Sequence, residues 1–138
     1  MISLIIGNKG TGKTKQLITA VNAAADVSIG DVVCMEKGKK LMYDISHKIR
    51  LIDTDVYFIS GFLEFYGFLS GVCATNYDVT DIFVDATLKI GGRDFTAFAA
   101  FIGKLATLSE SAGTNFTFTV SCDESDLPAS VFEFAQKV

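Results

Sequence analysis

Eight residues near the start of the chain, Gly7-Asn8-Lys9-Gly10-Thr11-Gly12-Lys13-Thr14, fit the spacing G-x-x-x-x-G-K-[ST]. Glycines at 7, 10 and 12 let the backbone turn tightly, so that successive N–H groups converge on an anion. A helix starting near Lys13 adds the positive end of its dipole at the same point. The Lys13 ammonium can reach the β- and γ-phosphates of a bound triphosphate, and the Thr14 hydroxyl can ligate magnesium. Composition alone yields such a string in on the order of one chain of this size in several hundred. Its position, between an apolar run and an amphipathic stretch, is the one this chemistry requires. Gly7 to Thr14, with the following Lys15, are therefore the candidate nucleotide-binding residues. The alternative is a glycine-rich turn that binds nothing.

A triphosphate site of this kind also needs a carboxylate for magnesium, at the end of a neighbouring apolar strand. Asp85, after Ile82-Phe83-Val84, fits that place and joins Thr14 as a candidate metal ligand. Strand-end solvation or helix capping is the other reading.

The elements that would position these groups alternate along the chain. Ile2–Ile6 reads as a buried strand, and Leu17, Ile18, Val21 and Ala25 mark the apolar stripe of the helix after the glycine-rich loop. Asp31–Met35 is a second strand, closed by Glu36-Lys37-Gly38. A polar stretch carrying Tyr43, Asp44 and His47 leads to a weaker strand at Ile49–Ile52. A helix is expected over about 60–74 with Ser60 as its cap, then a strand at Asp81–Asp85. Phe95, Phe98, Phe101, Ile102, Leu105 and Leu108 give the cleanest helical periodicity, over 94–111, with Asp94 as cap. Asn115–Ser121 alternates as a strand, and Ser125 is expected to cap a last helix carrying Val131, Phe132 and Ala135. Strands and helices in this order imply an α/β layer fold around a mostly parallel sheet, with residues 1–138 as one domain.

Composition narrows the function classes. The chain has 138 residues, 49% of them hydrophobic, with one proline and twelve glycines, which excludes disordered, collagen-like and proline-rich chains. A domain near this length buries roughly 68–70% of its unfolded surface and needs no staples. Twelve basic and sixteen acidic residues give a net charge of −4, which argues against broad nucleic-acid binding. A local basic patch remains open, since Lys9, Lys13, Lys15, Lys37, Lys39 and Lys40 fall in the first third. Cys34, Cys73 and Cys122 lie far apart in apolar stretches, without a zinc spacing, and read as buried reduced thiols of a cytoplasmic protein. No signal-peptide pattern opens the chain, because Gly7 and Lys9 interrupt its apolar run. The apolar stretch Val56–Cys73 approaches the length of a membrane span, but its three- and four-residue spacing and acidic flanks favour a buried helix over a membrane or partner-binding one.

On the glycine-rich loop and Asp85, the chain resembles the P-loop NTPase superfamily over most of its length. The likeness implies a minimal three-layer α/β domain binding Mg-ATP, with Mg2+ as cofactor. It implies that the first strand and Asn115–Ser121 are neighbours, with the Asp85 strand beyond. In the branch with a glutamate after the magnesium aspartate, that residue is the base; here Ala86 stands there. Recombinase-like relatives place a glutamate at the end of the strand after the P-loop helix, and Glu36 occupies a similar place as candidate base, or is a solvated turn residue. Ser121, with Asp123 close by, resembles the polar position that reads the γ-phosphate. Arg93 reads as a surface loop arginine, with a finger toward a neighbouring subunit as the alternative.

Guanine-specific motifs, transporter signatures and an arginine-rich kinase lid are absent from the sequence. The likeness is to short bacterial P-loop proteins and extends to Tyr43-Asp44, His47–Arg50 and Ser121–Glu124. It implies a nucleotide-binding core and no particular process. The leading reading is Mg-ATP binding with weak or partner-stimulated hydrolysis, since no arginine finger is assured. The alternatives are a non-enzymatic nucleotide-dependent module and, less well supported, a nucleoside-kinase-like phosphotransferase. Larger relatives add strands beyond the end of this chain, so an open sheet edge beside the first strand is expected, to be covered by a second copy or a larger partner.

Overall fold

The apolar run at the start of the chain forms strand β1 (Ile2–Gly7) in the computed structural model, which describes residues 1–138. Five further strands follow: β2 (Asp31–Glu36), β3 (Arg50–Asp53), β4 (Val79–Val84), β5 (Asn115–Ser121) and β6 (Gln136–Lys137). They form one sheet in the order β3-β2-β4-β5-β1-β6, and every pair is parallel. Helices α1 (Lys13–Val27), α2 (Phe62–Thr75), α3 (Thr87–Gly91), α4 (Phe95–Ala112) and α5 (Val131–Phe134) lie in the crossovers, except between β2 and β3, where residues 37–49 form a loop. The expected adjacency of β1 and β5, with β4 beyond, is present.

Both faces of a parallel sheet are covered, so alternate residues of each strand enter different cores. Leu4, Val33, Met35, Ile82, Val84, Phe116 and Phe118 point into a cluster of 26 buried residues under α2 to α5. Ile5, Val32, Cys34 and Phe83 point the other way, into a cluster of nine with Leu17 and Val21 of α1 and Leu41, Ile45 and Ile49. The stretch 56–73 divides between a 3-10 turn (Thr54–Tyr57), a loop and α2, whose Phe65 and Leu69 are fully buried. No helix is long and apolar enough to cross a membrane.

Several expectations need correction. Helix α2 is capped by Gly61 and not by Ser60; the Ser60 N–H instead donates to the Glu64 carboxylate one turn on, at 2.9 Å. Ser125 lies in a 3-10 turn (Glu124–Asp126) capped by Asp123, and the final helix is only α5. Pro128 separates the two, with its carbonyl accepting from the Val131 N–H. Ala135 leaves the helix in extended conformation, and the chain then pairs with β1. The edge beside β1 is therefore occupied at Ser3 and Leu4 by β6, and the Val138 N–H donates to the Leu4 carbonyl at 2.9 Å.

Candidate functional site

Strand parity assembles the site. Glu36 continues the Val32 and Cys34 side of β2, Asp85 follows Phe83 past the end of β4, and Thr119 and Ser121 alternate with Phe118 and Val120 on β5. All four therefore stand on the α1 face. The register sets them level at the C-terminal ends of the strands, since Met35 pairs with Val84, Val84 with Phe118, and Gly7 with Ser121. Ligands of open parallel sheets bind in the crevice at this edge. Here the crevice is a cavity of about 680 Å³.

The loop from Gly7 to Gly12 takes the conformation its glycines allow. Gly10 and Gly12 have φ of 87° and 83°, and a Cβ on Gly7 would come within 2.6 Å of the Thr11 hydroxyl. Thr11 donates to the Asn8 carbonyl at 2.8 Å, which ties the loop from behind. Asn8, Lys9, Gly10, Gly12, Lys13, Thr14 and Lys15 line the cavity, whereas Gly7 and Thr11 shape it without lining it.

Helix α1 opens on this cavity unusually. Its cap, Gly12, has no side-chain acceptor, and its first turn holds no acidic residue but Lys13 and Lys15. Positive side chains at a helix N-terminus oppose the dipole by a few tenths of a kcal/mol each, and the first N–H groups need an acceptor. By contrast, α4 is capped by Asp94, whose carboxylate accepts from the Thr96 and Ala97 N–H groups. An anion in the cavity would answer both deficits of α1.

Lys13 is 8% exposed, and its ammonium donates to the Asn8 carbonyl at 3.0 Å. The Thr14 hydroxyl donates to the Asp85 carboxylate, at 3.0 and 3.2 Å from its two oxygens. Thr119 completes this group: its hydroxyl donates to Asp85 Oδ1 at 2.7 Å and accepts from the Ala86 N–H at the same distance. The carboxylate is thus held by two hydroxyls, while the Asp85 N–H, donating to the Met35 carbonyl at 2.9 Å, fixes its backbone. Ala86 pays for that turn with a left-handed φ of 51°, a strained backbone for a residue with a side chain.

Glu36 is 3% exposed, which excludes the solvated-turn reading. One carboxylate oxygen accepts from the Lys40 N–H at 3.1 Å and the other from the Leu41 N–H at 2.9 Å, so Glu36 organises the loop after β2. Burial pushes its pKa above the ordinary value of 4.5, and those backbone donors pull against it; nearby Asp85 and Asp53 push it further up. Ser121 lines the cavity, and its carbonyl accepts from Arg93 at 3.0 Å. Asp123, expected beside Ser121, turns away to cap its 3-10 turn. Tyr43, Asp44 and His47 are exposed outside the cavity.

Charge is sorted sharply. Seven of the twelve Lys and Arg residues line this cavity, against two of the sixteen Asp and Glu residues, Glu36 and Asp85. The sequence cluster supplies most of them, except Lys39. Lys89 of α3 and Arg93 after it come from the chain segment that follows Asp85. Arg93 thus faces the cavity of its own chain, held by Ser121 and by the Phe95 ring, 5.5 Å from its guanidinium. Sequence reasoning missed Thr119 and Lys89; for Thr119 the signal was its position two residues before Ser121, on the same strand face.

The fold and site define an α/β protein with an all-parallel sheet of six strands, flanked by helices, and a cationic crevice at its C-terminal edge. Neither a family model nor a curated protein matches the chain.

Proposed function

We propose that this protein binds Mg-ATP in the manner of a P-loop NTPase and hydrolyses it slowly or when a partner stimulates it. The observation that carries the reading is the Thr14 hydroxyl against the Asp85 carboxylate, at the uncapped N-terminus of α1. Residues 7–15 would wrap the phosphates, through loop N–H groups and the Lys13 ammonium. Thr14 and Asp85 would hold magnesium.

The donor set suits that ion. No cluster of three or more His, Cys, Asp or Glu could cage a metal by itself. Magnesium commonly takes one or two protein oxygens and completes its shell from phosphates and water. Bound there, it would supply charge neutralisation to the phosphate oxygens. Glu36, with its raised pKa and its place beside Asp85, would accept a proton from the attacking water, and Ser121 would sense the terminal phosphate. Thr119 would keep the Asp85 carboxylate in its orientation. Asp85→Asn should abolish the magnesium dependence of ATP binding while the fold persists; unchanged magnesium dependence refutes the assignment. Glu36→Gln should slow single-turnover phosphate release, and an unchanged rate removes its role as base.

A second reading, a nucleotide-dependent interaction module without turnover, draws on a specific observation. Both Glu36 oxygens are already engaged by backbone N–H groups, and Ala86 holds the place of the usual glutamate. Under this reading nucleotide would order the segments around 8–14, 36–48 and 86–93 for a partner. Single-turnover release of phosphate separates the two: none over many hours, with tight binding, selects the module. Because β6 pairs with β1, a second copy or larger partner would engage another surface.

A further inference from the structure

The cavity wall is built for charge and offers almost nothing to a base. Of its eighteen lining residues three are hydrophobic, Leu41, Ala86 and Leu88, and the two leucines are buried in the cores to 2% and 6% exposure. The chain has twelve phenylalanines and four tyrosines, and none of these rings lines the cavity. Asn8 is its sole side-chain amide. Seven cations meet two carboxylates there, in a chain whose net charge is −4.

We infer that this site selects its ligand by the length and charge of the phosphate chain and is indifferent to the base. The ligand class is then any nucleoside triphosphate, purine or pyrimidine, with inorganic tripolyphosphate as the minimal member. This rests on the nucleotide-binding reading above and deepens it. Discrimination between bases needs groups that pair with their edges or a ring that stacks on their faces; a site that hydrogen-bonds a substrate group rejects analogues lacking it by roughly 10⁴-fold. With one amide, Asn8, and no ring, and with Arg93 turned to the Ser121 carbonyl, the wall has little with which to tell the four bases apart.

Chain length, in contrast, meets a wall of cations. Lys13 and the loop N–H groups come from the segment before α1, and Lys89 and Arg93 from the segment after Asp85, and all of them line the one cavity. Each phosphate removed takes away about one negative charge from a focused positive field. Arg93 also brings a planar fork of donors suited to phosphate oxygens, of which Ser121 engages one.

The test is calorimetric titration of the full chain, in magnesium, with ATP, GTP, CTP and UTP, then ADP, AMP and inorganic tripolyphosphate. The four triphosphates should bind within about threefold of one another, and tripolyphosphate within about tenfold of ATP, while ADP and AMP each weaken by at least about tenfold. Arg93→Ala and Lys89→Ala, both at exposed positions, should narrow the ATP-to-ADP ratio by several-fold and leave the four bases equal. A preference above about tenfold for one base, or tripolyphosphate that fails to bind where ATP binds, overturns the inference and leaves the nucleotide reading standing. Failure of every ligand to bind to folded protein overturns both.

Discussion

The two faces of the sheet use the same strands for different ends. Leu4, Val33, Met35, Ile82, Val84, Phe116, Phe118 and Val120 point toward α2 to α5 and join phenylalanines 62, 65, 98 and 101 in the cluster of 26. Fewer residues pointing toward α1 are apolar: Ile5, Val32, Cys34 and Phe83 are, whereas β5 gives that face only Asn115, Thr117, Thr119 and Ser121. At the C-terminal ends this face carries Glu36, Asp85, Thr119 and Ser121, and its apolar cluster has nine members. The division follows from helix supply: three or more helices shield one face, while α1 and the 41–49 loop shield the other. A thin layer leaves the strand ends open, and the open ends carry the polar groups. The larger apolar core lies on one face and the cationic crevice on the other.

Substitutions can break that division or sharpen it. Phe98 is fully buried against the rings of Phe62 and Phe101, with centroids 5.6 and 6.4 Å away. Phe98→Ala should cost about 3–5 kcal/mol in chemical denaturation, with ligand affinity unchanged wherever the protein stays folded. Lost affinity in the folded variant would show the faces to be coupled. Leu17→Ala, under α1, should cost about 2–3 kcal/mol and weaken binding as well, because α1 carries the loop.

Thr119→Val keeps the shape but removes the donor to Asp85 and the acceptor for Ala86. A loss of about 1–3 kcal/mol is expected, with weaker magnesium-dependent binding, and Thr119→Ser should recover most of both. Thr117→Val, on the same strand face and half-buried, should stay within about 0.5 kcal/mol. Equal losses at 117 and 119 would deny the site its special network.

Titration gives the smallest effects. Burial, with Glu36 and Asp85 nearby, pushes the Cys34 thiol from 9.0 to about 12. A folded-state pKa raised above the unfolded one means that the folded state holds its proton longer. The Cys34 contribution is therefore intact below pH 9 and is lost as pH climbs toward about 12; Cys34→Ala should flatten that stretch of the stability profile. Glu36 has the same sign, so its contribution falls as pH rises from 4.5, opposite to ordinary acid denaturation. A carboxyl resonance of Glu36 titrating at or below 4.5 would contradict its burial as the dominant influence.

Much of this division was readable from residue order. Apolar runs ending in glycine or a carboxylate located β1, β2 and β4, and the phenylalanine spacing located α4 with its Asp94 cap. The glycine-rich loop and Asp85 stood out because their chemistry constrains residue type. Elements fixed by distant contacts did not. Helix α3 has five residues and is braced where the Gly61 N–H meets the Ile90 carbonyl; β6 has two and exists through its pairing with β1. Ser60 and Ser125 have good capping chemistry, but Gly61 and Asp123 hold the positions from which the backbone turns into helix. Lys89 and Arg93 join the site because α3 packs against β5 and Arg93 donates to the Ser121 carbonyl, which no local pattern announces.

The central claim is that the loop from Gly7 to Thr14 is a phosphate site, and titration of Mg-ATP into wild type and Lys13→Met tests it most directly. Methionine keeps the length of this buried side chain and removes its charge. The account predicts saturable binding to wild type, weakened at least about a hundredfold in Lys13→Met with thermal stability little changed. Equal affinity in the two proteins, or no binding to folded wild type, would contradict it.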